Sequence, residues 1–98
     1  MVHERNWQHS LIKEIKRRLP GAYVIKTNAN YIQGFPDILV LNKRGWAALE
    51  CKRERTAAKQ PNQEYYVGRL NDLSFAAFIY PENQEEILNG LQQALGSS

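Results

Sequence analysis

The spacing of apolar residues predicts a helix near the start of the chain. Across residues 4–19, apolar side chains recur every three or four positions with lysine and arginine between them, which is the period of an amphipathic helix. Pro20 and Gly21 end this segment, because proline does not continue a helix and glycine readily takes the conformation found after one. The buried side of the predicted helix carries Trp7, Leu11, Ile12, Ile15 and Leu19.

Four short apolar segments predict strands. Residues 22–26 are β-branched and aromatic, and a polar segment follows them. Residues 38–41 and 46–52 flank an Asn-Lys-Arg-Gly turn at positions 42–45, a sequence typical of a β-hairpin. The fourth predicted strand is residues 74–80, which Pro81 closes.

Two further helices complete the predicted order α-β-β-β-α-β-α. Pro61 fits the first turn of a helix that runs to about residue 70, with Tyr66, Val67 and Leu70 on its buried side. Residues 82–95 form the final amphipathic helix. A helix between the third and fourth strands permits a parallel crossover. We therefore expect an α/β or α+β fold, in which helices pack on a mixed four-stranded sheet.

The composition is that of one small folded domain. The chain has 98 residues, of which 43% are hydrophobic and 23% charged, an apolar share too high for a disordered chain. No apolar run reaches the length of a membrane span, so we expect no membrane contact. Cys51 is the single cysteine, which rules out an internal disulfide and favours a cytoplasmic location. The net charge of +3 permits binding to nucleic acid without requiring it.

Three charged residues lie where the second and third strands should meet. Asp37 precedes the second strand, and the antiparallel hairpin brings it opposite the neighbourhood of Glu50. Glu50 and Lys52 are two positions apart, so they project from one face while the side chain of Cys51 points away. Two carboxylates and the backbone carbonyl of Cys51 suit Mg²⁺ or Mn²⁺, and Lys52 would orient water or stabilise developing negative charge. The alternative is a purely structural ion cluster.

These residues resemble a known family. Gly34-Phe35-Pro36-Asp37 followed by Glu50-Cys51-Lys52, in the predicted order of elements, is similar to the PD-(D/E)xK nuclease superfamily and to its VRR-NUC branch. Pro61-Asn62-Gln63 resembles the Pro-x-Gln segment of that branch, which implies that the Gln63 amide lies near the active site. The alternative is an exposed Gln63 at a helix N-terminus. The resemblance implies a restriction-endonuclease-like core and metal-dependent hydrolysis of DNA in a bacterial or phage-infected cell.

The resemblance also implies a glutamate of the first helix beside the metal, and Glu4 and Glu14 are both candidates. At about 100° per residue, Glu4 falls on the buried side of the helix and Glu14 at its edge. The segment before Asp37 should also return toward the end of the helix that carries Glu4. Gln8, one turn later, would face the same way and could hydrogen-bond to a metal ligand. These arguments favour Glu4 but leave the choice open.

DNA is the expected partner, and the basic residues of the hairpin and of the loop after the third strand are candidates for phosphate contacts on either side of the cleaved bond. These residues are Lys43, Arg44, Arg53, Arg55 and Lys59. The resemblance to stand-alone members of the branch implies branched DNA, such as four-way (Holliday) junctions, and a homodimer. Trp7, Tyr65, Tyr66 and the final helix would supply apolar surface for that dimer. A different class of function is also consistent, namely a non-catalytic nucleic-acid-binding or assembly module with the same fold.

Overall fold

The computed structural model describes residues 4–28 and 31–96, and within the first helix it describes side chains from residue 6 onward. The order of elements confirms the predicted α-β-β-β-α-β-α arrangement. The elements are α1 (Glu4–Arg18), β1 (Tyr23–Lys26), β2 (Ile38–Asn42), β3 (Gly45–Cys51), α2 (Gln63–Leu73), β4 (Phe75–Ile79), a 3-10 helix (Pro81–Asn83) and α3 (Gln84–Leu95). Within the described ranges, none of the helices has the length and apolarity needed to cross a membrane.

The strands form one mixed sheet in the order β1-β2-β3-β4. β1 pairs with β2 and β2 with β3 in antiparallel fashion, whereas β4 runs parallel to β3. A parallel neighbour requires a crossover connection, and α2 supplies it. In the β2–β3 ladder Ile38 lies opposite Leu49. One position further toward this end of the sheet, Asp37 therefore lies opposite Glu50.

The helices cover the two faces of the sheet unequally. α1 and α3 pack on one face, where their apolar stripes meet alternate residues of β2, β3 and β4. α2 packs on the opposite face against β3 and β4, through Val67, Ala48 and Ala76. On that face β1 and β2 are less well covered, and Tyr23, Ile25 and Leu41 remain exposed. The residues of β1 and β2 that point toward α1 are instead partly or fully buried, as Val24 and Val40 are.

Side-chain hydrogen bonds tie α1 to α3. The indole Nε1 of Trp7 donates to Oε1 of Gln84 at 2.7 Å, and Arg18 forms a salt bridge with Glu85 at 2.7 Å. Because Gln84 follows the end of β4, the Trp7 bond places the start of α1 at the end of the sheet where β3 and β4 finish.

The structure contradicts two parts of the apolar surface that was expected for a dimer. Trp7 is only 8% exposed, and Leu88, Leu91 and Leu95 of α3 are buried in the same core. Trp7 and the apolar side of α3 are therefore used within the chain itself. Of the residues proposed for that surface, Tyr65 remains exposed.

Candidate active site

Asp37 is fixed across the junction of three strands. Its Oδ2 accepts a hydrogen bond from the backbone N–H of Cys51 at 2.8 Å, which holds the carboxylate against the end of β3. Its backbone carbonyl accepts from the N–H of Thr27 at 2.8 Å, just after β1. The hydroxyl of Thr27 donates to the carbonyl of Pro36 at 2.6 Å. The side chain of Asp37 therefore has a set direction at the edge where β2 begins and β3 ends.

Glu50 is a buried carboxylate held by a glutamine of α2. Only 3% of Glu50 is exposed, and its Oε2 accepts from Nε2 of Gln63 at 3.0 Å. Gln63 is 8% exposed, and its Oε1 accepts from the N–H of Gln60 at 2.7 Å. The structure thus contradicts the alternative in which Gln63 is an exposed residue at a helix start. Glutamate is rarely this buried unless hydrogen bonds, a cation or a metal offset its lost hydration.

Lys52 continues the alternation of β3 and so lies on the side of the sheet that carries Glu50. Its backbone N–H donates to the carbonyl of Ile79 at 2.8 Å, which extends the β3–β4 ladder by one bond. Its Nζ donates to the carbonyl of Ala58 at 3.1 Å, in the loop before α2. Cys51 between them is 2% exposed and belongs to the core under α1 and α3, on the opposite face. The side chains of Glu50 and Lys52 therefore share one face, as the spacing predicted.

The glycine before Asp37 touches the turn before Gln63. Gly34 has φ +86°, and a Cβ built on it would lie 2.6 Å from the carbonyl oxygen of Pro61 and 2.7 Å from Cβ of Asn62. Next to it, the ring of Phe35 meets that of Tyr66 edge to face, with centroids 5.6 Å apart. The Gly-Phe-Pro-Asp and Pro-Asn-Gln segments therefore pack directly on each other, and this contact places Gln63 against Glu50. Sequence reasoning missed it, although Gly34 was the available signal.

Arg53, Arg55 and Lys59 are exposed in the loop that follows Lys52. The backbone N–H of Arg55 lies 3.5 Å from Oε2 of Glu82, and Nζ of Lys59 lies 4.9 Å from the centre of the Phe78 ring. These contacts hold two of the three cationic residues near the carboxyl ends of β3 and β4.

Lys43 and Arg44 occupy the β2–β3 hairpin, at the opposite end of the sheet. A strand rises about 3.3 Å per residue, so this turn lies roughly 17 Å along β2 from Asp37. The expectation that all five basic residues flank the cleaved bond is therefore wrong for Lys43 and Arg44. The reason is that the hairpin joins the strand ends that do not carry the carboxylates.

The two candidate glutamates of α1 have different surroundings. Glu4 begins α1, at the end of the sheet near the site, but its side chain lies outside the described residues. Gln8, one turn later, is half-buried. Glu14 accepts hydrogen bonds from Arg17 and Arg18, which lower the pKa of its carboxyl to about 2. A helix rises 1.5 Å per residue, so Glu14 lies about 15 Å beyond Glu4. Glu14 is therefore too distant to serve the site, and Glu4 stays a prediction.

The donor set at this edge fits a hydrated hard cation. Mg²⁺ is commonly held by one or two carboxylates together with water and substrate phosphate, and it takes oxygen ligands. Asp37 and Glu50 supply two such carboxylates on adjacent strands. Among the described side chains, residues 6–28 and 31–96, there is no group of three or more His, Cys, Asp or Glu residues that could hold a metal. Two carboxylates would leave the remaining coordination positions of such a cation to water and substrate oxygens.

A solved structure shares the fold of this chain. No family model and no curated protein matches the chain. Among solved structures, a "VRR_NUC domain protein" is similar over 99% of this chain and 93% of that chain, with a TM-score of 0.69 and 16% sequence identity. This likeness confirms that the chain has the fold of a VRR-NUC domain, which the sequence resemblance implied.

Proposed function

We propose that this protein is a Mg²⁺- or Mn²⁺-dependent endonuclease that hydrolyses phosphodiester bonds in DNA. The observation that carries the proposal is the buried Glu50 beside Asp37, with Lys52 on the same face two residues later. Burying a carboxylate beside a second one is unfavourable in a protein that has no use for them. The similarity to a VRR_NUC domain protein supports a nuclease-type domain.

The metal would be held by Asp37, Glu50 and the backbone carbonyl of Cys51, with Glu4 as a further candidate ligand. A bound divalent cation supplies a Lewis acid that polarises the scissile phosphate and promotes deprotonation of the attacking water. The N–H of Cys51 and the amide of Gln63 fix one oxygen of each carboxylate, so the pair is oriented before any ligand arrives.

Lys52 would stabilise the negative charge that develops on the phosphate oxygens. Its ammonium group now donates to the carbonyl of Ala58, a neutral acceptor that a phosphate oxygen can replace. A cation placed in advance near the developing charge lowers the barrier more than one that must move into position. Gln63 acts through Glu50 as a positioning residue in this scheme.

The distribution of basic residues favours an extended DNA contact. Arg53, Arg55 and Lys59 lie on the loop after Lys52 and would bind phosphates close to the cleaved bond. Lys43 and Arg44 would bind a part of the DNA roughly 17 Å away. Contacts at both ends of the sheet are compatible with branched substrates such as four-way junctions.

A homodimer would present two active sites to such a junction, and the less covered half of the sheet is the surface that supports it. Tyr23, Ile25 and Leu41 are exposed there on neighbouring strands. Contiguous apolar surface on a small protein commonly marks an interaction site. The buried thiol of Cys51 is compatible with a reducing cytoplasm.

Metal binding and cleavage together test this function. Isothermal titration with Mn²⁺ should detect binding to the wild type and a loss of binding in Asp37→Asn and Glu50→Gln. Linear, flap and four-way-junction DNA should be cleaved with Mg²⁺ or Mn²⁺ but not with chelator. Lys52→Ala should still bind Mn²⁺ while its rate falls by about 100-fold or more, because it removes charge stabilisation and no ligand.

Glu64→Gln is the matched control, since Glu64 is exposed in the first turn of α2 next to Gln63. This variant should bind Mn²⁺ and cleave DNA like the wild type. Undiminished cleavage by Glu50→Gln would refute the assignment. DNA binding without Mn²⁺ binding or cleavage would instead identify the non-catalytic module of the same fold.

A further inference from the structure

An apolar groove lies beside the candidate active site, next to the part of the sheet that α2 leaves open. Its volume is about 500 Å³, and it is lined by Thr27, Asn28, Tyr31, Ile32, Phe35 and Leu39. This volume is in the range of sites that bind small molecules. The scheme described for phosphodiester hydrolysis makes no use of the groove.

Direct contacts join the groove to the site. The backbone N–H of Thr27, on the groove wall, donates to the carbonyl of Asp37 at 2.8 Å. Leu39 belongs to the cluster under α2 and is two residues from Asp37 along β2. Phe35 contacts Tyr66, one turn of α2 after Gln63. A ligand in the groove would therefore lie beside Asp37.

The groove is suited to the flat face of a nucleobase. Among the described residues, the six that line the groove include no lysine or arginine, so the groove does not suit a phosphate group. Two of the six are aromatic and two are aliphatic. Tyr31 is 85% exposed at its edge, a large aromatic ring offered to solvent. Aromatic side chains bind single-stranded DNA by stacking on bases, and cationic residues nearby bind the phosphates. Arg53, Arg55 and Lys59 offer such cations on the loop after Lys52, which lies across Asp37 and Glu50 from the groove.

We propose that this groove binds one unpaired nucleobase adjacent to the cleaved phosphate, with Tyr31 stacking on the base. The inference rests on the proposed nuclease function and adds a substrate requirement to it. In a duplex the base faces are covered by their neighbours, and extracting a base requires unpairing and unstacking it. The enzyme therefore favours DNA with an unpaired nucleotide at the cut, as in a flap, a fork or an open junction, over fully paired duplex.

The test measures base binding without turnover. Single-stranded oligonucleotides that contain one 2-aminopurine, and the corresponding blunt duplex, are titrated with wild-type protein in Ca²⁺. Stacking should quench the fluorescence of the single strand, and the single strand should bind more tightly than the duplex. Tyr31→Ala should weaken single-strand binding by about 5-fold or more and abolish the quenching. Tyr31→Trp should restore both, and duplex binding should stay unchanged in each variant.

Leu73→Ala is the control, because Leu73 is a similarly exposed large apolar residue that does not line the groove and has no part in the proposed dimer surface. Equal binding of single strand and duplex, or an unaltered single-strand affinity in Tyr31→Ala, would overturn the inference. A change of the Tyr31→Ala protein from dimer to monomer in light scattering would overturn it too, because the groove would then hold a second copy. Cleavage with Mn²⁺ is scored separately. Cleavage that depends neither on Tyr31 nor on base pairing would contradict the base-binding groove alone. No cleavage of any DNA would contradict the proposed function.

Discussion

Replacing Gly34 with alanine tests the contact that joins the two halves of the candidate site. The new Cβ would lie 2.6 Å from the Pro61 carbonyl oxygen and 2.9 Å from the carbonyl carbon of Asn62. Backbone atoms cannot rotate away as a side chain can, so either the segment before Asp37 or the turn before Gln63 must shift. The residue also has φ +86°, a conformation that alanine adopts only with strain.

The expected destabilisation combines two effects. A left-handed backbone costs a non-glycine residue about 1–2 kcal/mol, and forcing an extra methyl group into a packed contact costs about 1–3 kcal/mol. Together they should lower the free energy of unfolding by roughly 2–5 kcal/mol. In a domain of this size that corresponds to a fall in Tm on the order of 10–20 °C. Mn²⁺ affinity should fall as well, because the shift moves Gln63 away from Glu50.

Two other glycines separate these effects when Tm is measured by circular dichroism. Gly21 has φ +88° with nothing within 4 Å of a built Cβ, so Gly21→Ala should show the strain alone, about 1–2 kcal/mol. Gly68 lies inside α2 with open space around it, and Gly68→Ala should stabilise the protein by about 1 kcal/mol through helix propensity. Equal losses of Tm in Gly34→Ala and Gly21→Ala would refute the close contact. Unchanged Mn²⁺ binding in Gly34→Ala would refute its role in the site.

Two further predictions concern hydrogen-bonded side chains. Gln63→Leu removes a donor to Glu50 and an acceptor from a buried position, so it should cost about 1–3 kcal/mol in urea unfolding and weaken Mn²⁺ binding; a neutral result in both would contradict the positioning role. The pKa of Glu14 is lowered from 4.5 to about 2 by Arg17 and Arg18, so its contribution to stability is present above pH 4.5 and is lost as the pH falls toward 2. Glu14→Gln should therefore have a lower Tm than wild type at pH 7 and a similar Tm near pH 2, whereas an equal difference at both values would contradict the assignment.

The pairing of Asp37 with Glu50 could be predicted because it depends on one local turn. Once Asn42 is opposite Gly45, counting away from the turn along both strands places Asp37 opposite Glu50. The same count places Lys43 and Arg44 at the far end of the sheet, so the sequence already contains the reason that they do not flank the cut. Local patterns of this kind determine register but not the packing of distant segments.

Gln63 could not be placed from the sequence alone, because its position depends on a contact between segments far apart in the chain. A glutamine at the start of a helix is ordinarily exposed, and no periodicity distinguishes a buried one. Its burial depends on Gly34 meeting Pro61, which in turn depends on how β1, β2 and α2 are arranged. The resemblance to a nuclease family predicted that Gln63 lies near the active site. Composition and spacing alone do not predict this.

Departures from ordinary folding rules concentrate at one edge of this sheet. Glu50 is a carboxylate at 3% exposure, Asn62 is a non-glycine residue at φ +72°, and Gly34 permits a backbone approach that a methyl group would block. Each of these three features lowers the stability of the fold and is not required by ordinary packing. All three belong to the segments that surround Asp37. A purely structural ion cluster would not require the strained backbone at Asn62, because the fold would be more stable with Gln63 exposed to solvent. Strain and buried charge persist where the rest of the fold holds them in place for a ligand, so their coincidence favours a binding site over a structural cluster.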